Sequence, residues 1–231
     1  MGRVIVCAGY RNWAQRIFTK AHLEQYLDRR DDEVVHITER GAVTRSWEGQ
    51  ADLALFYGWS DMVPTWLLKE TPCYGLHPSP LPRYRGGSPL QHQIMANEYW
   101  SAVTIFRMTD KLDAGPIFAQ VPLTLDGTLD QIFDRIVEAA VEPTRELLRL
   151  RLDGQSPQLR PQVEHEATTY ARRTPEASCI TQQDLEVLSI RAIHNKVRAL
   201  YSAIEDYPAA YILCANGGKL YLPTGEYGEP A

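Results

Sequence analysis

One histidine sits among residues that leave it little freedom. In "TPCYGLHPSPLPRYRGGSP", residues 71–89, His77 is followed by Pro78, Pro80 and Pro82, then by Arg83, Arg85 and the pair Gly86–Gly87. An imidazole gives or takes a proton close to neutrality, which suits it to acid, base or hydrogen-bond chemistry. The prolines fix φ and remove backbone freedom on the C-terminal side of the ring. Three readings compete: a docking peptide, a linker, or the frame of a reactive centre. A P-x-x-P ligand needs proline three positions on, but Leu81, Arg83 and Arg85 stand at that distance from Pro78, Pro80 and Pro82. A free linker does not fit between an apolar run, "CYGL" (73–76), and a capped helix. The third reading places His77 at the carboxyl end of a buried strand, where open α/β sheets bind ligands. A structural, hydrogen-bonded histidine fits the same residues equally well.

The elements around His77 supply such a sheet. "RVIVCA" (3–8), "EVVHI" (33–37), "DLALFYG" (52–58) and "CYGL" read as short buried strands. Trp13, Ile17 and Ala21 recur at helical spacing, and "DMVPTWLLKE" reads as a short helix. Ser88, Pro89 and Gln91 read as N-cap, first-turn proline and capping-box partner of a helix running to about Asn97. Two more strands are expected at 102–108 and 115–125. Thr128 and Gln131 form another capping box, opening a helix with Leu129, Ile132, Phe133, Ile136, Val137 and Ala140 on one face. The alternation predicts an α/β fold: a Rossmann-like, mainly parallel sheet flanked by helices over residues 1–155. Residues 156–231 are expected to form a small C-terminal helix-plus-hairpin subdomain. Its helix lies near 189–201, with Ile190, Ile193, Val197 and Leu200 as a stripe, and its hairpin turns at Asn216–Gly218.

Bulk properties narrow the partners. The 231 residues are 44% hydrophobic and 23% charged, ordinary for a globular protein, with a formal net charge of -5. No block of five basic residues occurs, so the electrostatic stripe of a nucleic-acid binder is missing and no nucleic-acid partner is expected. Cys7, Cys73, Cys179 and Cys214 are scattered without a C-x-x-C pair, which reads as reduced core cysteines, with neither disulfides nor a metal site. The sequence shows no signal peptide and no stretch of about 18 apolar residues, so a cytoplasmic, membrane-free protein is expected.

"HPSPLPRYRGGSP" followed by "DKLDAGPI" resembles the folate-dependent formyltransferase family, whose signature is approximately N-x-H-P-S-L-L-P, then R-G-x-x-P, then L-D-x-G-x-I. His77 and Asp113 are 36 positions apart, as in that family. The resemblance implies transfer of a formyl group from the co-substrate 10-formyltetrahydrofolate to an amine. It casts His77 as the donor to the oxyanion that develops. Asp113 would favour the imidazolium beside it and relay the amine's proton; read alone, Asp113 is a turn-former in "DKLDAG". One departure is serious: the family's asparagine, two residues before the histidine, is Gly75 here. Gln91, Gln93 and Ser60 are the candidates for a replacement.

The resemblance also distributes the ligands. The pterin would lie between "GWSDMVP" (58–64) and "MTDKLD" (108–113), touching Trp59, Ser60, Asp61, Met62 and Leu112. The amine substrate would face "AGYRNW" (8–13), a glycine turn at a helix N-terminus suited to anions, with Tyr10, Arg11 and Asn12 as contacts and Arg85 as a further one. The methionyl-tRNA enzymes of the family imply a longer chain and a basic face. "RTPEAS" and "IHNKVRALYSAIEDYPAAYI" instead resemble the C-terminal segment of sugar N-formyltransferases, which implies a nucleotide-diphosphate-linked amino deoxysugar as substrate. Other small amines, and a non-catalytic binding protein, are the alternatives. The apolar hairpin is a candidate surface for a homodimer.

Overall fold

The computed structural model describes residues 3–27, 31–43, 51–205 and 207–223. Ten strands and six α-helices follow one another along them. The strands are β1 (Val4–Ala8), β2 (Glu33–Ile37), β3 (Leu53–Tyr57), β4 (Cys73–His77), β5 (Arg85–Gly86), β6 (Trp100–Arg107), β7 (Ile117–Thr124), β8 (Thr169–Tyr170), β9 (Tyr211–Leu213) and β10 (Lys219–Tyr221). The helices are α1 (Asn12–Ala21), α2 (Thr65–Glu70), α3 (Pro89–Met95), α4 (Leu129–Leu152), α5 (Gln182–Val187) and α6 (Ile190–Arg198).

Six strands make the main sheet in the order β2-β1-β3-β4-β6-β7. The first four are parallel, and β6 and β7 add antiparallel pairs. The mainly parallel α/β sheet expected from the sequence is therefore present. Every residue of β3 and β4 is buried, as a sheet covered on both faces requires. Alternation assigns the two faces. Ile5 and Cys7 join a large core with Trp13, Ile17 and Phe18 of α1 and the apolar stripe of α4, while Val6 and Ala8 pack with Phe56, Leu67 and Cys73 on the other side. Cys73 is buried in that second core, and desolvation pushes its thiol up to about 12.

Helix α4 opens with the expected capping box: Gln131 N–H donates to the Thr128 hydroxyl while the Gln131 side chain accepts from Thr128 N–H. The same signal fails at α3. Ser88 adopts φ +52°, makes no cap, and accepts from the backbone N–H of Arg173 instead.

Beyond α4 the chain returns to the sheet domain. Ile117 and Arg160 exchange backbone hydrogen bonds, and the two-residue strands β5 and β8 pair in parallel; neither was expected. Ile180, Val197, Leu200 and Ala210 form a separate small cluster, with α6 against α3. The hairpin β9–β10 turns through Gly217 in the left-handed region, where the sequence placed it.

Candidate active site

His77 is the last residue of β4 and only 7% exposed. The loop that follows has a structural problem, because prolines leave carbonyls without matching N–H groups, and buried carbonyls need donors. Side chains from neighbouring elements provide them. Gln93 Nε2 donates to Pro78 O (2.9 Å), Thr104 Oγ1 to Ser79 O (2.6 Å), Gln120 Nε2 to Leu81 O (3.0 Å) and Ser79 Oγ to Arg83 O (2.8 Å). His77 belongs to the same set, its Nε2 lying 2.7 Å from Tyr84 O. A carbonyl only accepts, so Nε2 carries the proton and Nδ1 is the nitrogen available for chemistry.

Nδ1 faces Asp113 Oδ2 at 3.6 Å, an ion-pair distance too long for a hydrogen bond. Asp113 sits at φ +49°, a left-handed conformation that aspartate tolerates better than most residues. Its turn is held on two sides. Gly86 N–H donates to Oδ2 (2.8 Å), and Gln162 Nε2 donates to the carbonyls of Asp113 (2.8 Å) and Gly115 (2.7 Å). Gly115 is required by close approach, since a Cβ there would lie 1.7 Å from Arg107 O. Asp113 is thus both the turn-former and the partner of His77.

Arg85 was read as a substrate contact, and its geometry corrects that reading. It is 5% exposed, lines neither cavity beside His77, and spends its guanidinium on Gln162 Oε1 (2.9 Å) and Glu164 (3.0 Å). A buried guanidinium needs such partners. Through Gln162, Arg85 positions Asp113.

Two cavities meet at His77. The first, about 360 Å³, is lined by Trp59, Ser60, Asp61, Met62 and Leu112, so all five residues expected to meet the pterin come together there, with Gly75 and Phe106 behind them. Met62 and Leu112 are 73% and 55% exposed, apolar surface left in water at the cavity mouth. Asp61 is held by Arg40, whose hydrogen bond is the leading cause of a carboxyl pKa below the ordinary value. The second cavity, about 340 Å³, lies between the end of β4 and the C-terminal segment. Arg11, Arg172 and Arg173 bring positive charge to it, and Trp13, Phe133 and Tyr207 bring aromatic surface. Desolvation by burial lowers the pKa of Arg173.

A profile of the formyl transferase family matches residues 4–146, more than half of the chain. The chain belongs to the formyl transferase family. It is 39% identical over 132 residues to methionyl-tRNA formyltransferase of Thermotoga neapolitana, an alignment that covers 55% of this chain and 40% of that protein. The chain spans about half the length, or less, of the curated relatives it matches. Among solved structures, a 4-N formyltransferase from Francisella tularensis superposes with a TM-score of 0.78 at 15% identity, covering 99% of both chains. HypX from Aquifex aeolicus in complex with tetrahydrofolic acid superposes at 0.75 and 22% identity, covering 95% of this chain and 37% of that one. At these identities the structural likenesses establish the formyltransferase fold.

Against the family signature, Gly75 has a structural explanation. A Cβ at Gly75 would stand 2.9 Å from Cε1 and 3.0 Å from Cζ of Phe106, so an aromatic ring occupies the space next to the missing side chain. Of the three candidate replacements, Gln93 is committed: it donates to Pro78 O and Pro89 O and accepts from the Ser101 hydroxyl. Ser60 accepts from the Tyr10 hydroxyl. Gln91 is buried and lines the second cavity, without the capping role read from the sequence.

The anion site expected at the start of α1 already holds an internal anion. Glu205 accepts from Trp13 N–H (3.1 Å) and ion-pairs with Arg11 at 3.6 Å, while the Arg11 guanidinium lies 4.6 Å from the centre of the Tyr207 ring. Arg11 lines the second cavity, but Tyr10 and Asn12 line neither. Sequence reasoning missed Glu205, Arg172, Arg173, Tyr207, Gln162 and Phe106. "RTPEAS" and "IHNKVRALYSAIEDYPAAYI", both noted for their resemblance, contain Arg173, Glu205 and Tyr207, whereas Arg172, Gln162 and Phe106 carry no local signal.

Proposed function

We propose that this protein transfers a formyl group from 10-formyltetrahydrofolate to the amine of a nucleotide-diphosphate-linked amino deoxysugar. The observation that carries this reading is the meeting of two differently lined cavities at His77. The first suits a flat, apolar-faced pterin, because Met62, Leu112 and Phe106 offer apolar walls. The second suits a small anionic acceptor with a ring.

When bound, 10-formyltetrahydrofolate supplies the formyl carbon that the acceptor's amine attacks. His77, with Nε2 occupied by Tyr84 O, donates from Nδ1 to the formyl oxygen as negative charge builds there, which requires the imidazolium. Asp113 stabilises that cation and takes the proton lost by the amine, directly or through one water, and that proton passes to N10 as the bond between N10 and the formyl carbon breaks and tetrahydrofolate leaves. Gln162 and Arg85 hold Asp113 in place.

A second reading is favoured by the names of the curated relatives: the amine of methionyl-tRNA. The net charge of -5 weighs against it. Incubation with 10-formyltetrahydrofolate and a panel of dTDP-, GDP- and UDP-linked amino sugars, with methionyl-tRNA as a parallel arm, is expected to yield one sugar nucleotide heavier by a formyl group. Product only in the tRNA arm would replace the first reading with the second, and product in neither would leave a ligand-binding relative. The protein is a homodimer in this reading, through the hairpin whose Leu213, Leu220 and Tyr221 stand exposed; light scattering giving the mass of one chain would refute the dimer. Among the described residues no helix is long and apolar enough to cross a membrane.

A further inference from the structure

Three arginines line the second cavity, and two of them are already committed. Arg11 ion-pairs with Glu205, and Arg173 donates to Ala177 O. Arg172 is exposed and has no hydrogen bond or ion pair among the described residues. Like His77, it lines both cavities, which places it at their junction. Its charge reaches a wall residue of each. Asp61, lowered chiefly by the bond from Arg40, is lowered further by Arg172; the Tyr207 phenol, pushed up to about 12 by burial, is pulled back by Arg11 and Arg172. The backbone fixes this position. Gly87 N–H donates to Tyr170 O (2.9 Å), and Arg173 N–H donates to Ser88 Oγ (3.1 Å), so the chain is anchored on either side of Arg172. A Cβ on Gly87 would lie 2.4 Å from Arg172 Cα, so only glycine admits the segment this closely.

The balance of charge selects the ligand. Among the described residues, the second cavity is lined by three arginines and no carboxylate, whereas the first carries Asp61 and Asp113. Glu205 offsets Arg11, which leaves the second cavity positive through Arg172 and Arg173. An uncommitted guanidinium presents a planar fork of donors that matches phosphate oxygens two at a time. We propose that Arg172 binds the diphosphate of the acceptor substrate from the junction of the cavities and sets the preference for a phosphorylated acceptor over a neutral one. The inference rests on the formyl-transfer reading above and names the residue that recognises its acceptor's charge. Because the guanidinium has no partner in the fold, removing it costs recognition and leaves stability alone.

Calorimetry in the presence of tetrahydrofolate, on wild type, Arg172→Gln and Arg172→Lys, would compare dTDP, GDP and UDP with the corresponding nucleosides; tetrahydrofolate would be titrated separately. Wild type is expected to bind at least one of the diphosphates. Arg172→Gln should weaken that diphosphate about 10–100-fold and its nucleoside less than about two-fold. Arg172→Lys keeps the charge without the fork and should fall between. Added salt should weaken diphosphate binding less steeply in Arg172→Gln than in wild type, and both variants should melt with wild type. Unchanged diphosphate affinity in Arg172→Gln would overturn the proposal. An equal loss for nucleoside and diphosphate, or a lower melting temperature, would overturn it too, by giving the side chain a role in the shape of the site. So would a loss of tetrahydrofolate affinity with diphosphate binding intact, which would move the cation to the folate's carboxylates. A wild type that binds tetrahydrofolate but none of the three diphosphates overturns the anion site while leaving the folate half of the function standing. Failure to bind tetrahydrofolate would count against the formyl-transfer reading itself, with the diphosphates still testing Arg172.

Discussion

Gly75→Asn, which restores the residue of the family signature, is expected to lose stability and gain no activity. The new Cβ would stand 2.9 Å from the Phe106 ring and 3.4 Å from Met108 Cγ. Phe106 is 3% exposed and clustered with Leu81 and Ile117, so its ring cannot swing into solvent. Overpacking of this kind costs about 1–3 kcal/mol, and an amide buried without partners costs about 1–3 kcal/mol more. For a domain of this size the melting temperature should fall by roughly 4–24 °C. Adding Phe106→Val makes room for the asparagine, so the double variant should recover much of the loss, a non-additivity expected of residues in contact. Gly75→Asn alone melting with wild type would sink the argument, since the ring would then yield at little cost. If the double variant turns over faster than wild type, Gly75 and Phe106 together put bulk where the family signature has a donor, and restoring that donor raises the rate.

Local rules made the backbone legible, and distant partners made the site hard to read. β2 falls on residues 33–37 as expected, the Thr128 capping box forms, and the hairpin turns at Gly217, because each is decided by residues close in sequence. Ser88 has the same local credentials as Thr128, yet its hydroxyl bonds Arg173, 85 positions later. The α1 N-terminus reads locally as a place for a substrate's anion, but the carboxylate of Glu205, 192 positions from the Trp13 N–H it accepts from, fills it. Arg85 looked like a substrate contact because nothing nearby paired with it; Gln162 and Glu164 arrive from the far side of α4. Motif spacing paired His77 with Asp113, which lie on a strand end and a tight turn that the fold brings within 3.6 Å. Part of the second cavity's wall was illegible for the same reason, because Arg172, Arg173, Leu200 and Tyr207 reach it only as their segment folds back on the sheet.

The largest loss of activity is expected at His77, and two substitutions there separate the two jobs of its ring. One edge holds the proline loop, with Nε2 donating to Tyr84 O at 2.7 Å; the other presents Nδ1 to Asp113 and the cavities. In Gln the amide nitrogen reaches the place of Nε2, so His77→Gln keeps the bond to Tyr84 O and removes the nitrogen that does chemistry. It should fold with a melting temperature near that of wild type, yet lose the rate that one preorganised oxyanion donor supplies, about 10²–10³ in kcat, or about 2.7–4 kcal/mol. His77→Ala loses the same rate and also leaves the Tyr84 carbonyl unpaired in a buried loop, costing about 1–3 kcal/mol of stability. Single-turnover rates and thermal melts on both variants distinguish the roles. Equal melting of His77→Gln and wild type with a collapsed rate assigns the chemistry to Nδ1. Wild-type turnover in His77→Gln would instead reduce the histidine to a staple of its own loop and leave the chemistry to Asp113.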